Sequence, residues 1–305
     1  MDIGFGAPVS GAWATPENLA AFATAAEAAG YHSLWSFQRL LVPAGSGMDP
    51  VYQSVLDPMA ALAFAAAVTS RIRLGVAVIN LPFVSPGYLA KQAASLDVLS
   101  GGRHDLGLGI GWMPEEFTLA GADMPHRGAR AAEYVHTLRT LWAGTVPSTV
   151  TGAFYEVPAG TQLPKPVQPG GPPVLLGGMA RPALQRIGRI ADGWVTSSRT
   201  DLSTISTLIG VVRESAEAAG RDPAALRYVV RGVVRVGAPA TAADGQRLLL
   251  SGDYDQIRAD AAGLGEQGVT EVFYDLNWDP EVGSPDAAPE AATERAQEIL
   301  RALAP

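Results

Sequence analysis

The sequence predicts an α/β fold: a (β/α)8 TIM barrel, one domain over residues 1–305, with an insertion after the helix of the fourth unit. Three observations carry this. Short apolar runs alternate with alanine-rich runs of helical length, which argues for parallel strands joined by helices. Eight such pairs fit into the chain. A doubly wound open sheet would want a glycine fingerprint after its first strand, and GFGAP at residues 4–8 does not supply one.

The elements follow in order. The first strand covers residues 3–7. Pro16 opens a helix with Thr15 as its N-cap, and Gly30 ends it. The second strand is 33–37, followed by a Gly- and Pro-rich loop over 41–56. Asp57 caps the next helix, with Pro58 at its first position. The third strand, IRLGVAVI, spans 72–79, and a helix runs from near Pro86 to Ser100-Gly101-Gly102. The fourth strand is 104–110, and a helix covers 127–142. Residues 144–173 then break the rhythm with Pro, Gly and Thr around one hairpin-like piece, FYEVP, at 154–158. A loop of that length usually has a function, and it is expected to close over the pocket. The remaining strands are 174–176, 193–196, 228–236 and 269–276. Their helices run through Ile187 and over 204–219, 253–264 and 289–303.

Composition narrows the chemistry. With no cysteine, disulfides, thiolate catalysis and Cys-ligated metals are excluded. The formal charge is −8 with no basic run, which argues against nucleic acid as a partner. No apolar stretch reaches the roughly 18 residues of a membrane span. The first residues, MDIGFGAPVSG, lack the pattern of a signal peptide, so a cytoplasmic protein is expected. There is no G-x-S-x-G elbow and no pair of histidines at metal spacing, so neither a hydrolase nor a metal site is expected.

The stretch GGRHDLGLGIGWMPEEFTLAG, residues 101–121, is the most informative. Glycines at 107, 109 and 111 share one face of a strand and leave it bare. Bare strand faces mark the close approach of a ligand or of another backbone. Either a flat cofactor lies on Gly109, Ile110 and Gly111, with Trp112 as a wall, or the glycines relieve crowding inside the barrel. The turn Gly177-Gly178-Met179-Ala180-Arg181 joins a strand to a helix. Backbone N–H groups at such a helix start attract phosphate, and Arg181 adds a charge-assisted bond. An ordinary tight turn is the other reading.

Barrel active sites lie at the C-terminal ends of the strands. Those ends gather Trp13, Gln38, Arg39, Asn80, residues 109–112, 177–181, Ser197, Ser198 and residues 275–278. Trp13, Gln38, Arg39 and His126 form the expected substrate pocket, with Gln38, Arg39 and Trp112 nearest the chemistry. Gln38 orients by hydrogen bonds, and Arg39 stays protonated and clamps anions. The pair could also be loop residues facing water. Of the four histidines, His32 and His104 precede their strands and His136 lies within a helix; His126, in MPHRG, is the one placed to approach the top face.

Together LGVAVINLP (74–82), AKQAASLDVLSGGR (90–103), LGLGIGW (106–112), VLLGG (174–178) and ADGW (191–194) resemble the luciferase-like monooxygenase superfamily. They are most similar to its actinobacterial branch that uses the deazaflavin coenzyme F420. The resemblance runs over nearly the whole chain. It implies a luciferase-like barrel, usually a homodimer, with a flavin or deazaflavin ring at the top. It places the ring against Ala77, Val78 and Asn80 on the third strand, where the family often has a cis non-proline bond, here Ala77–Val78. It places the cofactor phosphate at 177–181. Many relatives carry an acidic residue and a histidine where Gln38 and Arg39 stand, and others an acidic residue in place of Trp112; this chain has neither. The expectation is an F420-dependent oxidoreductase acting on a small molecule. The alternatives are an FMN-dependent monooxygenase served by a separate reductase, and a flavin-binding protein without catalysis.

Overall fold

A computed structural model describes residues 1–144, 148–237, 239–242 and 245–305. Eight parallel strands close a barrel: β1 Asp2–Gly6, β2 Ser33–Ser36, β3 Arg73–Asn80, β4 His104–Gly109, β5 Val174–Gly177, β6 Gly193–Val195, β7 Arg227–Val233 and β8 Glu271–Asp275. Each neighbours its sequence neighbour, and β8 pairs with β1 to close the ring. The helices outside are α1 Pro16–Ala28, α2 Pro58–Val68, α3 Pro86–Ser100, α4 Pro114–Leu119, α5 Arg127–Trp142, α6 Arg181–Ile190, α7 Ile205–Ala218, α8 Tyr254–Glu266 and α9 Pro289–Ala302.

The local signals act as expected. Thr15 accepts from the Asn18 N–H at the start of α1, and Asp57 accepts from the Ala60 N–H at the start of α2. Each thereby satisfies an amide that the helix itself leaves free. Gly101 adopts φ of 69° past the end of α3, the left-handed geometry that stops a helix. The seventh strand is shorter than the apolar run suggested; Arg235 and Val236 leave the barrel to pair with Ser251 and Gly252.

The barrel interior is filled, not open. Trp35 stacks on Phe273 with ring centroids 5.2 Å apart. Gly75 lies beneath Trp35, where a Cβ would stand 2.3 Å from the indole. Below them sits a buried charge network at the N-terminal ends of the strands. Asp105 takes Arg73 and Arg227, and Arg227 reaches Glu271 at 2.8 Å. Burial alone would raise the Asp105 carboxyl, but the two guanidiniums hold it below its usual range. His104 is also buried there, with Nδ1 3.0 Å from the Leu74 carbonyl, and desolvation lowers its pKa. It sits at the first position of β4, at the N-terminal end of the barrel and away from the cavity.

Residues 148–173 lie on the outside of the barrel against α3 and α5, and none of them lines the cavity at the strand ends. Ser148–Thr151 and Glu156–Gly160 form an antiparallel hairpin against α5, where Glu133 accepts from the amides of Ala153, Phe154 and Tyr155. Beyond it, Asp97 of α3 accepts from the amides of Val167 and Gln168, and Gln168 donates to the His104 carbonyl. This corrects the expected closure over the pocket: Asp97 fixes the segment along the barrel flank, toward the strand starts. Residues 145–147 of the insertion lie outside the described residues.

Candidate functional site

One cavity of about 370 Å³ opens at the C-terminal ends of the strands. Its walls contain Gln38, Arg39, Ala77, Val78, Asn80, Gly109, Ile110, Gly111, Trp112, Gly177, Gly178 and Met179. These segments lie far apart in the chain, and closure of the barrel brings them together.

The wall from β3 and β4 is built around a distortion. The Ala77–Val78 peptide is cis, and the pairing register of β3 with β4 shifts between Val76 and Ile79. A Cβ on Gly107 would stand 2.0 Å from the Val76 carbonyl oxygen, and one on Gly109 would stand 2.7 Å from Val78 Cγ2. Gly111 has φ of 71°, with Phe117 packed behind it. The bare glycine face therefore has a double cause. Gly107 relieves crowding against β3, Gly111 makes the turn, and Gly109 both admits Val78 and lines the cavity. Gly177 is different: its Cβ would meet only ordinary contacts, the nearest 3.4 Å away.

Side chains pin this wall by a relay. Gln38 accepts from the Asn80 N–H at 2.9 Å, and the Asn80 side chain accepts from the Gly111 N–H at 3.1 Å. Gln38 is thus a positioning group for the loop ends of β3 and β4, not a loop residue facing water.

Three arginines reach the cavity: Arg39, Arg199 and Arg231. Arg39 pairs with the buried Glu116 at 2.9 Å and lies 4.5 Å from the Tyr52 ring centre. Glu116 also accepts from the Leu40 N–H. Arg231 rises from β7 between Phe37 and Trp278, 4.5 and 4.1 Å from their ring centres. Its Nε donates to Asp275 at 2.6 Å and its Nη1 donates to the Ala77 carbonyl at 3.1 Å. Arg199 stands on the rim with its guanidinium 5.2 Å from the Trp112 ring, and Arg39 approaches the same ring at 5.5 Å. Trp112 is half-exposed.

Four expected site residues lie elsewhere. Trp13 is fully buried, packed edge-to-face on Phe22, because the turn after β1 folds its indole into the apolar core. His126 takes φ of 59° at the start of α5 and faces Phe154 of the hairpin, outside the cavity. Ala180 and Arg181 are exposed. Arg181 lines a cleft between α6 and α7, because the first helical turn carries it to the outer face. No side chain caps α6, and the cavity edge there is made by Gly177, Gly178 and Met179.

Reasoning from the sequence missed Phe37, Tyr52, Glu116, Thr196, Arg199 and Arg231, while Asp275 was expected among the gathered strand ends. One of those missed carried a signal. Arg231 interrupts the apolar run YVVRGVV, and a lone charge in a buried strand needs a partner, here Asp275 at the end of β8. Among the described residues no cluster of His, Asp and Glu could hold a metal ion, and no helix is long and apolar enough to cross a membrane.

The sequence also has recognisable relatives. The profile of the luciferase-like monooxygenase family matches residues 3–303. An uncharacterised protein of Mycobacterium tuberculosis, Rv0940c, is 35% identical over 210 residues, which is 65% of this chain and 71% of that protein. Another from the same organism, named "Putative coenzyme F420-dependent oxidoreductase Rv3520c", is 32% identical over 59% of this chain and 51% of its own. The FMNH(2)-dependent dimethylsulfone monooxygenase of Pseudomonas putida is 29% identical over 64% of this chain and 52% of its own. Among solved structures, an F420-dependent secondary alcohol dehydrogenase superposes with a TM-score of 0.79 at 18% identity, over 99% of this chain and 98% of that one. The match spans the full set of strands that build the cavity, and the chain belongs to the luciferase-like monooxygenase family.

Proposed function

We propose that the protein is a coenzyme F420-dependent oxidoreductase acting on a small organic molecule. One observation carries the reading. The cavity is lined by neutral polar groups, glycines, apolar groups and arginines, with no carboxylate, histidine or hydroxyphenyl acid other than Tyr52 among the described residues. Such a lining binds and orients; the redox chemistry belongs to a bound cofactor. The neutral wall fits a flat ring. Ala77, Val78, Asn80, Gly109, Gly177 and Gly178 would hold it, and a Cβ at Gly109 is excluded by Val78. When bound, F420 supplies a ring carbon, C5, that gives or takes a hydride.

The chain's own residues do the rest. Arg231 fixes the Ala77 carbonyl, Gln38 and Asn80 fix the loop ends, and Arg39 offers a permanent positive charge that cannot serve as a base. The similarity to Rv3520c supports the deazaflavin. The similarity to the dimethylsulfone monooxygenase supports FMN and a separate reductase as the second reading.

Titration of the purified protein with oxidised F420 and, separately, with FMN tests this by fluorescence. Tight binding of F420 followed by turnover of an alcohol, carbonyl or conjugated alkene is expected. Binding of FMN alone moves the reading to the monooxygenase. Binding without turnover on any substrate leaves a flavin-binding protein.

We further propose a homodimer through α2 and α3. Phe64 and Val68 share a stripe of α2, and Tyr88 and Leu99 lie on the exposed side of α3. Their exposure runs from 37% to 70%, high for such large apolar groups. Sedimentation of the wild type and of Leu99→Glu tests it, with a monomeric wild type refuting the dimer.

A further inference from the structure

The charges in the cavity do not balance, and the imbalance has a location. Arg39 is neutralised by Glu116 and Arg231 by Asp275. No ion pair among the described residues involves Arg199. Its place is nevertheless fixed. Ser197 and Thr200 close a turn around it, with the Thr200 N–H donating to the Ser197 carbonyl and the Arg199 N–H donating to Ser197 Oγ. The guanidinium rests against Trp112, which is 50% exposed at the cavity edge. A large exposed ring costs solvation unless something covers it, and a guanidinium without a carboxylate is free to take an anion.

We propose that this rim selects the substrate: a planar, conjugated carboxylate whose flat part lies on Trp112 and whose oxygens pair with Arg199. The inference rests on reading the cavity as an oxidoreductase site. The carboxylate accepts two parallel N–H bonds from the guanidinium, whose charge, unlike those of Arg39 and Arg231, has no carboxylate partner among the described ion pairs. The neutral wall of β3 to β5 stays available to the cofactor. Arg199 and Trp112 are thus substrate-selecting residues, distinct from the groups that hold the ring.

The probes are cinnamate and its neutral match, cinnamamide, titrated calorimetrically into protein loaded with oxidised F420. Cinnamate is expected to bind about ten-fold more tightly or better, the range of one charge-assisted pair. In Arg199→Gln the two should bind within about two-fold of each other, while Arg199→Lys keeps part of the preference. Trp112→Leu should weaken both probes alike. Arg199 is exposed, so these variants fold, and melting temperatures check it. Equal binding of the two probes by wild type, no binding of either at millimolar concentration, or an unchanged preference in Arg199→Gln overturns the inference. If Arg199→Gln instead loses F420 and keeps the preference, the arginine serves the cofactor's own anionic groups; the inference fails and the deazaflavin reading stands. If wild type takes no F420, the same titration of the unloaded protein still reads the preference, and only the cofactor assignment falls.

Discussion

Arg231 on β7 donates a hydrogen bond to the carbonyl oxygen of Ala77 on β3, 3.1 Å away across the barrel. The two strands are not neighbours in the sheet. The bond therefore crosses the interior and ties the cavity-facing bend of β3 to the far wall. Asp275 supplies the countercharge, and Asn277 in turn donates two bonds to Asp275 from its backbone and side chain.

Arg231→Lys should lower cofactor affinity about ten-fold, roughly 1.4 kcal/mol, because a lysine cannot serve Asp275 and Ala77 from one planar group. Asp275→Asn should cost more, about 3–5 kcal/mol of stability, since it strands a buried guanidinium. Fluorescence titration and urea unfolding read the two effects. Normal cofactor binding by Arg231→Lys would show that the cross-barrel bond does not shape the site.

Gly177→Ala and Gly109→Ala should separate binding from folding. At Gly177 the added methyl meets only ordinary contacts, so stability should stay within about 0.5 kcal/mol while cofactor affinity drops. At Gly109 the methyl runs into Val78, so both should fall, by about 1–3 kcal/mol in stability. Thermal melts beside cofactor titrations distinguish the cases. Equal melting temperatures for both variants would contradict the packing described for Val78.

Glu116→Gln removes the only carboxylate within reach of Arg39 among the described ion pairs. The uncompensated, largely buried guanidinium should cost about 3 kcal/mol and become free to move off Tyr52. Turnover should fall with a rise in KM. A variant with wild-type stability and KM would remove Glu116 from the support of the site.

Glu27 gives the pH dependence a sign. Partial burial raises its carboxyl, but the amides of Ile72, Arg71 and Ser70 outweigh this and hold it at about 2. A depressed folded-state pKa contributes stability that is present above about 4.5 and is lost as the pH falls toward about 2. Glu27→Ala should thus destabilise by about 1–2 kcal/mol at pH 7, and the gap to wild type should close between these values. A gap independent of pH would assign the effect to packing.

Much of this molecule is legible in the chain because it is set locally. Thr15 and Asp57 cap their helices with atoms three residues away, and strand and helix periods are properties of short windows. The cavity segments around Val78, Gly109 and Gly177 could be named because they end strands in a fold whose strand ends converge. Trp13 and His126 misled for the same reason: proximity to a strand end says nothing of which way a loop folds back. Trp13 turned inward to the core and His126 outward to the hairpin.

The sequence by itself thus determined the barrel, its order of elements and the neutral wall of the site. The tertiary structure alone decided the electrostatics. Arg39 meets Glu116 and Arg231 meets Asp275 and Ala77 only after the ring closes, over separations no local pattern encodes. Charge pairing depends on distance in space, and in a barrel that distance is fixed by closure of the whole sheet.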